Sequence, residues 1–256
     1  MRAVLLDIDG VLYVEDQPIP GATDAVRQLR EAGLGLRFVT NTTNRSRAAT
    51  LTRLRDLGFA VSEPELLTPA ALAVQLCAQR GHGRVALFAA DELRDDFRDL
   101  EVDDDGADAV IVGDLGEAWD YGALNRAFRL VIGGADLIAL QKNRYWRRTD
   151  GLALDAGPFV AALEYATERT ATVVGKPARA FFEQALAELG ATPTEAVMVG
   201  DDVESDIGGA LAAGLQAVLV RTGKYRADRV AASDVTPTAT VDSIADVPGL
   251  LAGRDG

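Results

Sequence analysis

The N-terminal stretch MRAVLLDIDG, residues 1–10, decides the fold of this chain. Its nearly continuous apolar run over residues 2–8 predicts a parallel β-strand that is buried on both faces. Asp7 and Asp9 stand at the carboxyl end of that run, and alternation along a strand directs both side chains to the same side. Two neighbouring carboxylates repel each other and lose hydration unless a cation compensates them. Ligands of open parallel sheets bind at this edge. The pair therefore predicts a binding site, the alternative being a strand that simply ends in an Asp-Gly turn.

Strands and helices alternate both after this stretch and again near the C-terminus. The apolar spacing and the glycines predict helix 22–32, strand 34–40, helix 45–57, helix 178–189, strand 196–199, helix 204–213 and strand 216–220. Such alternation predicts an α/β fold with a doubly wound, Rossmann-like parallel sheet.

The residues between these two halves carry elements of their own. The patterns predict strands Arg84–Phe88, Ala109–Val112 and 137–140, and helices 123–131 and 158–167. We therefore expect a core domain formed by residues 1–75 and 173–256, which an inserted α/β domain at residues 76–172 divides into two parts. The acidic stretch 99–108 is predicted to be a solvated loop rather than a metal site.

Thr40 and Asn41 follow the second predicted strand. A hydroxyl and a carboxamide at this edge can donate hydrogen bonds to phosphate oxygens without adding charge. Both residues are also good helix caps, and taken alone this second explanation is the better one.

Acids and a lysine accompany the later strands. Asp201 and Asp206 follow the strand at 196–199, so they reach the same edge as Asp7, and hard carboxylate oxygens suit Mg²⁺. Lys176 is one of three lysines in the chain. A lysine there can offset the acids and hold a phosphate as a point charge.

Together these features resemble the four motifs of the haloacid dehalogenase (HAD) superfamily, which are DxD, a Thr or Ser after the second strand, an isolated Lys, and GDxxxxD. Longer stretches resemble its NagD-type branch (subclass IIA), whose C2-type cap domain is inserted between the second and third motifs. They are DIDGVLY (7–13), PIPGA (18–22), RFVTNTTNRSR (37–47), ALEYATERTATVVGKP (162–177), MVGDDVESDIGGALAAG (198–214) and VRTGKYR (220–226). The resemblance covers nearly the whole chain, including the inserted domain, which it identifies as a cap.

The resemblance implies a phosphatase that hydrolyses a small phosphorylated substrate. Asp7 would attack phosphorus and form an aspartyl-phosphate, and Asp9 would protonate the leaving oxygen and then activate the water that hydrolyses the intermediate. Dehalogenases of the superfamily lack the second aspartate, so Asp9 favours phosphoryl transfer to water.

The resemblance also implies Mg²⁺ as cofactor. The Asp7 carboxylate, the Asp9 backbone carbonyl and Asp201 would hold the ion, and Asp206 would act through a water or through the other ligands.

Thr40, the neighbouring Asn41 backbone and Lys176 would hold the phosphate oxygens. The cap would exclude water and select the leaving group. Within it, residues 142–146 (KNRYW) are either part of a loop that sets substrate specificity or a segment packed on the cap surface. The resemblance allows a homodimer formed through the cap.

Composition excludes several other classes of protein. The net charge of −13 argues against a nucleic-acid partner, because phosphate backbones need a basic surface. No apolar stretch approaches the roughly 18 residues of a membrane span, and no cleavage site follows the short run before Asp7, so we expect a cytoplasmic protein with no membrane partner.

The single cysteine, Cys77, has the setting of a core residue. The presence of only one histidine, His82, argues against a histidine triad or a His-rich zinc site.

Two alternatives belong to other functional classes. A phosphorylated signalling receiver also combines acids, a Thr or Ser and a Lys, but it is shorter, has no inserted domain and carries its aspartate on the third strand. A catalytically silent HAD-fold protein that binds or regulates a partner is the other alternative, against which the intact acid pair, Lys176 and the GDxxxxD motif count.

Overall fold

The computed structural model describes residues 1–103, 105–148 and 151–253, with residues 147 and 148 described by their backbone alone. The strands are β1 (Ala3–Asp7), β2 (Tyr13–Val14), β3 (Gln17–Pro18), β4 (Gly35–Val39), β5 (Leu66–Leu67), β6 (Arg84–Phe88), β7 (Glu101–Val102), β8 (Ala109–Val112), β9 (Asp136–Ala139), β10 (Tyr145–Arg148), β11 (Gly151–Leu154), β12 (Thr172–Val173), β13 (Ala196–Gly200), β14 (Gln216–Val220) and β15 (Ala239–Val241). The α-helices are α1 (Ala22–Glu31), α2 (Arg47–Asp56), α3 (Pro69–Arg80), α4 (Tyr121–Ile132), α5 (Ala156–Thr167), α6 (Arg179–Leu189), α7 (Gly209–Ala212), α8 (Ala227–Ala232) and α9 (Val247–Ala252).

The chain divides into two compact units. The first comprises Met1–Thr40, Leu51–Leu67 and the described residues from Lys176 onward, and the second comprises Asn41–Thr50 and the described residues of Thr68–Gly175. The domain boundaries expected from the sequence, near residues 75 and 172, stay a prediction.

The first unit is built on a sheet with strand order β15-β14-β13-β1-β4-β5. Its neighbouring strands are all parallel, and every residue of β1 is buried. Asp7 lies opposite Val39 of β4, and Leu6 lies opposite Val199 of β13. The carboxyl ends of these three strands therefore meet at one edge, and the predicted parallel α/β fold is confirmed.

A short hairpin, β2–β3, follows β1 directly. The Gly10 amide donates to the Tyr13 carbonyl at 2.8 Å, and the Ile19 amide donates to the Leu12 carbonyl at 2.9 Å. The hairpin therefore holds the turn that contains Asp9 before the chain enters α1.

The second unit has its own parallel sheet, with strand order β12-β9-β8-β6-β7, and its own apolar core. Two of its helices, α4 and α5, begin earlier than the apolar spacing predicts because aspartates cap them. Asp120 accepts a hydrogen bond from the Ala123 amide at 2.7 Å, so α4 begins at Tyr121. Asp155 accepts one from the Ala156 amide at 2.7 Å, so α5 begins at Ala156.

Two predicted elements differ from the structure. The helix predicted at 204–213 is a π-helical turn, Val203–Gly208, followed by α7, because the Ile207 amide donates to the Asp202 carbonyl, five residues back, at 3.2 Å. The acidic stretch 99–108 is not all loop, since it contains edge strand β7; residue 104 lies outside the described residues.

Among the described residues, no helix has both the length and the apolar character that a membrane crossing requires.

Candidate active site

Three buried polar residues stand where the central strands of the first unit end. Asp7 is the last residue of β1, Thr40 follows β4, and Asp201 follows β13. Their exposed fractions are 6%, 2% and 1%. Parallel pairing in register, and not proximity in sequence, brings these residues to one edge.

Lys176 lies between two of the acids. Its Nζ is 2.7 Å from Asp7 Oδ1 and 2.7 Å from Asp206 Oδ1, and the side chain is only 2% exposed. Burial lowers the pKa of Lys176, but the charges of Asp206 and Asp7 outweigh burial, so the net shift is upward. The lysine is therefore a fixed positive charge inside the site.

Asp206 is fully buried in the π-helical turn. Its Oδ2 accepts hydrogen bonds from the backbone amides of Asp201 and Asp202 at 3.2 and 3.1 Å. Burial, followed by the charge of Asp7, raises the pKa of Asp206, while Lys176 opposes this shift. Asp206 thus connects the lysine to the backbone that carries Asp201.

Backbone encloses the Asp201 carboxylate. Its Oδ2 accepts a hydrogen bond from the Lys224 amide at 2.6 Å. A Cβ placed on Gly10 or Gly223 would lie 1.9 or 2.0 Å from this oxygen, and both glycines have positive φ, 86° and 59°. Only residues without a side chain allow this approach.

The loop after β14 is a part of the site that the sequence reasoning did not assign. Besides Gly223 and Lys224, it contributes Thr222, whose Oγ1 donates a hydrogen bond to the Gly10 carbonyl. Ligands of parallel sheets bind at the carboxyl ends of the strands, and this loop follows the carboxyl end of β14, so the sequence did contain a signal for it. Its contacts with Asp201 are made by the Lys224 amide and by Gly223, which carry no side-chain signal of chemistry.

The acids fit a hard divalent cation. Asp7, Asp201 and Asp206 each offer a carboxylate oxygen, and these atoms all lie within 4.8 Å of one another. Asp201 Oδ1 is buried and has no hydrogen-bond partner among the described residues. Burial first, and then the charges of Asp7 and Asp206, raises the pKa of Asp201 well above its ordinary value. An oxygen-only donor set with an unsatisfied buried oxygen is the chemistry that Mg²⁺ prefers.

Two predicted site residues lie outside this cluster of carboxylates. Asp9 follows the end of β1, is half-buried and forms a β-bridge with Tyr13. Asn41 belongs to the second unit, where its Oδ1 lies against Gly175.

The cap segment 142–146, the single cysteine and the single histidine all lie in the second unit. Lys142 pairs with Glu164 at 2.5 Å, and Tyr145 and Trp146 belong to β10. Cys77 is buried, and burial raises the pKa of its thiol to about 11. His82 Nε2 lies 2.8 Å from Asp136 Oδ2.

Comparison with known families and proteins agrees with this geometry. A family described as haloacid dehalogenase-like hydrolase matches residues 4–103, and a HAD-hydrolase-like family matches residues 173–247. The chain is 46% identical to haloacid dehalogenase-like hydrolase domain-containing protein 2 of Homo sapiens, over 95% of this chain and 93% of that protein. It is 44% identical to phospholysine phosphohistidine inorganic pyrophosphate phosphatase of Xenopus laevis, over 100% of this chain and 96% of that protein.

Solved structures show the same fold. The p-nitrophenyl phosphatase from Archaeoglobus fulgidus superimposes with a TM-score of 0.91 at 28% identity, covering 97% of this chain and 98% of that one. NagD from Escherichia coli gives 0.85 at 25% identity, covering 96% and 98%. The glycerol phosphate phosphatase from Mycobacterium tuberculosis, solved in complex with magnesium, gives 0.82 at 30% identity, covering 94% and 74%. The chain therefore belongs to the haloacid dehalogenase-like hydrolase family, as an enzyme of its NagD-type phosphatase branch.

Proposed function

We propose that this enzyme is a Mg²⁺-dependent phosphatase that transfers the phosphoryl group of a small substrate to Asp7 and then to water. The observation that carries the proposal is the convergence of Asp7, Asp201 and Asp206, of which Asp7 and Asp206 pair with the buried Lys176. A buried cluster with three acids and one lysine suits an additional cation and a phosphate far better than it suits an apolar ligand.

Asp7 is the proposed nucleophile. Its carboxylate oxygen attacks phosphorus, the bond from phosphorus to the leaving oxygen breaks, and the electron pair stays on that oxygen. The ion pair with Lys176 holds the Asp7 side chain in one orientation at the strand end. An attack geometry that is fixed before the substrate binds lowers the entropic part of the barrier.

Asp9 is the proposed general acid and base. It would give its proton to the leaving oxygen and later take a proton from the water that attacks the aspartyl-phosphate. Asp9 is half-buried in the turn after β1, two residues beyond Asp7, and lies outside the cluster of carboxylates proposed to surround the metal.

The Asp7 carboxylate, the Asp9 carbonyl and Asp201 are the proposed Mg²⁺ ligands. The ion would supply charge stabilisation for the phosphoryl oxygens in transfer. Asp206 keeps Lys176 and the Asp201 backbone in place, which supports its expected role outside the direct ligands.

Thr40, Asn41 and Lys176 are the proposed phosphate-binding residues. Lys176 is a point charge already held in the site, and Thr40 lies one residue beyond the β4 position that pairs with Asp7. Lys176 would neutralise the phosphoryl oxygens and Thr40 would help to orient them.

Phosphate release from p-nitrophenyl phosphate and a panel of phosphate esters, pyrophosphate and phosphoamidates tests the proposal. We expect turnover with Mg²⁺ and none with excess EDTA, and Asp7→Asn should reduce kcat by on the order of 10³-fold or more. Asp24→Asn, which changes an exposed acid of α1, is the matched control and should be unchanged. Turnover that survives EDTA, or an active Asp7→Asn variant, would contradict the metal or the nucleophile respectively.

Three further expectations from the sequence stay predictions. The panel identifies the substrate class, light scattering tests the cap-mediated homodimer, and cell fractionation tests the cytoplasmic location.

A further inference from the structure

Arg53 of α2 contacts three parts of the β2–β3 hairpin. Its Cζ lies 4.9 Å from the centre of the Tyr13 ring. Its Nη2 lies 2.7 Å from Asp16 Oδ1 and also donates a hydrogen bond to the Glu15 carbonyl. The Arg53 side chain is 24% exposed, and its contact with the buried Tyr13 ring is largely shielded from water.

The contacts with Tyr13 and the Glu15 carbonyl matter more than the ion pair. Asp16 is 83% exposed, and water and salt screen an ion pair in such a position. Tyr13, in contrast, is buried, and a guanidinium over a buried aromatic ring is held by both dispersion and charge. Glu15 has a φ of 51°, a backbone conformation that is unfavourable for a residue with a side chain. Arg53 holds the carbonyl of this strained residue.

The hairpin is continuous with the turn that carries Asp9. The Tyr13 carbonyl accepts the Gly10 amide at 2.8 Å, Asp9 forms a β-bridge with Tyr13, and the Leu12 amide donates to the Ile8 carbonyl at 2.9 Å. A displacement of Tyr13 therefore displaces the backbone on both sides of Asp9.

We propose that Arg53 is a positioning residue for Asp9: by clamping Tyr13 and Glu15 it keeps the Asp9 carboxyl in reach of the leaving oxygen. This inference rests on the proposed role of Asp9 as general acid. Arg53 itself touches neither substrate nor metal in this account; it acts through the hairpin.

The dependence of kcat/KM on the leaving group distinguishes this role from a general structural one. For a two-step reaction through a covalent intermediate, kcat/KM reports only the steps up to formation of that intermediate, in which the acid protonates the leaving oxygen. A p-nitrophenolate needs little protonation, whereas phenolate and alkoxide leaving groups need it strongly. We expect Arg53→Met to lower kcat/KM about tenfold for phenyl phosphate and a simple alkyl phosphate, and less than about threefold for p-nitrophenyl phosphate.

Two variants accompany the measurement. Arg53→Lys keeps the charge but cannot hold both the Tyr13 ring and the Glu15 carbonyl, so we expect a selective loss of about threefold; it carries the test if Arg53→Met does not fold. Arg55→Met is the matched control, since Arg55 is on the same helix and also donates to a backbone carbonyl, that of Val61 at 3.1 Å. Its leaving-group dependence should equal that of the wild type.

Asp9→Asn separates failure of this inference from failure of the proposed function. If Asp9→Asn loses activity selectively with poor leaving groups while the Arg53 variants lose it equally across the series, the positioning role is wrong and the general acid stands. If Asp9→Asn shows no selectivity, the general-acid assignment is wrong, and the role of Arg53 with it.

Discussion

Asp201 shows how tightly single residues are constrained at this site. Gly10 and Gly223 lie so close to Asp201 Oδ2 that a Cβ on either would overlap this oxygen, and the Lys224 amide donates a hydrogen bond to it. The position of the proposed metal ligand is therefore set by backbone atoms from two different loops.

Gly223→Ala tests this constraint. An alanine at this position would have to keep a positive φ, which is unfavourable for a residue with a side chain. Its Cβ would also lie 2.0 Å from Asp201 Oδ2, so the two groups would overlap. Gly33→Ala is the matched control, because Gly33 has a φ of 77° and nothing lies within 4 Å of its added Cβ. We expect urea unfolding to show a loss of about 1–2 kcal/mol for Gly33→Ala and a larger loss for Gly223→Ala. Only Gly223→Ala should lose phosphatase activity, about tenfold or more. Equal stability and unchanged activity in the two variants would contradict the account.

At the scale of residues, the members of the candidate site could be identified from the sequence where their side chains carry the chemistry. Asp7, Asp201, Asp206 and Lys176 could be assigned to one edge because acids and a lysine follow apolar strands. Gly223 could not be assigned to the site. A glycine that is required because a carboxylate lies close to its backbone looks the same in a sequence as a glycine in any turn.

At the scale of elements, the ends of helices and strands are fixed by hydrogen bonds that apolar spacing does not reveal. The parallel strands were predictable from their buried apolar runs. The π-helical turn was not predictable, since apolar spacing does not distinguish the bond from the Ile207 amide to the Asp202 carbonyl from the bonds of an α-helix. The antiparallel pair β10–β11 was not predictable either. Leu152 and Leu154 of β11 are apolar but exposed, so this strand lacks the alternation of buried apolar and exposed polar residues by which a strand is recognised.

A polar cluster in the second unit ties the end of α3 to the start of β9. Arg80 Nη1 and His82 Nε2 lie 2.9 and 2.8 Å from Asp136 Oδ2. The hydrogen bond from His82 is the main cause that holds the pKa of Asp136 below its ordinary value; desolvation opposes it and Arg80 adds to it. Because the carboxyl pKa is lower in the folded state, this stabilisation is complete above about pH 4 and is lost as the pH falls through the folded pKa.

Asp136→Asn should therefore be less stable than the wild type at pH 7, and the difference should shrink towards pH 3. Since Asp136 is 37% exposed, solvent screening limits the expected difference to about 1 kcal/mol or less. Urea unfolding across this pH range at constant ionic strength measures it, with Asp105→Asn as an exposed-acid control. A difference that does not change with pH would show that the ionised carboxylate contributes nothing.

At the scale of the whole molecule, each unit has a sheet and an apolar core of its own. All the proposed direct metal ligands belong to the first unit. A ligand stabilises the structure that binds it, so the effect of Mg²⁺ should be concentrated there.

Hydrogen exchange with and without Mg²⁺ tests this distribution. We expect the metal to slow exchange in β1, β13 and the π-helical turn while leaving β6 and β8 unchanged. In Asp201→Asn the metal should have no effect on either unit. Equal protection of both units would contradict binding at the proposed site.

The central claim, that Asp7 carries the phosphoryl group, is tested most directly by trapping the intermediate. Protein in turnover with Mg²⁺ and substrate is quenched and treated with borohydride, which reduces an aspartyl-phosphate to homoserine, and peptides are then identified by mass spectrometry. The account predicts homoserine at position 7 that depends on both substrate and Mg²⁺. Reduction at a different aspartate, or turnover with none at Asp7, would contradict it.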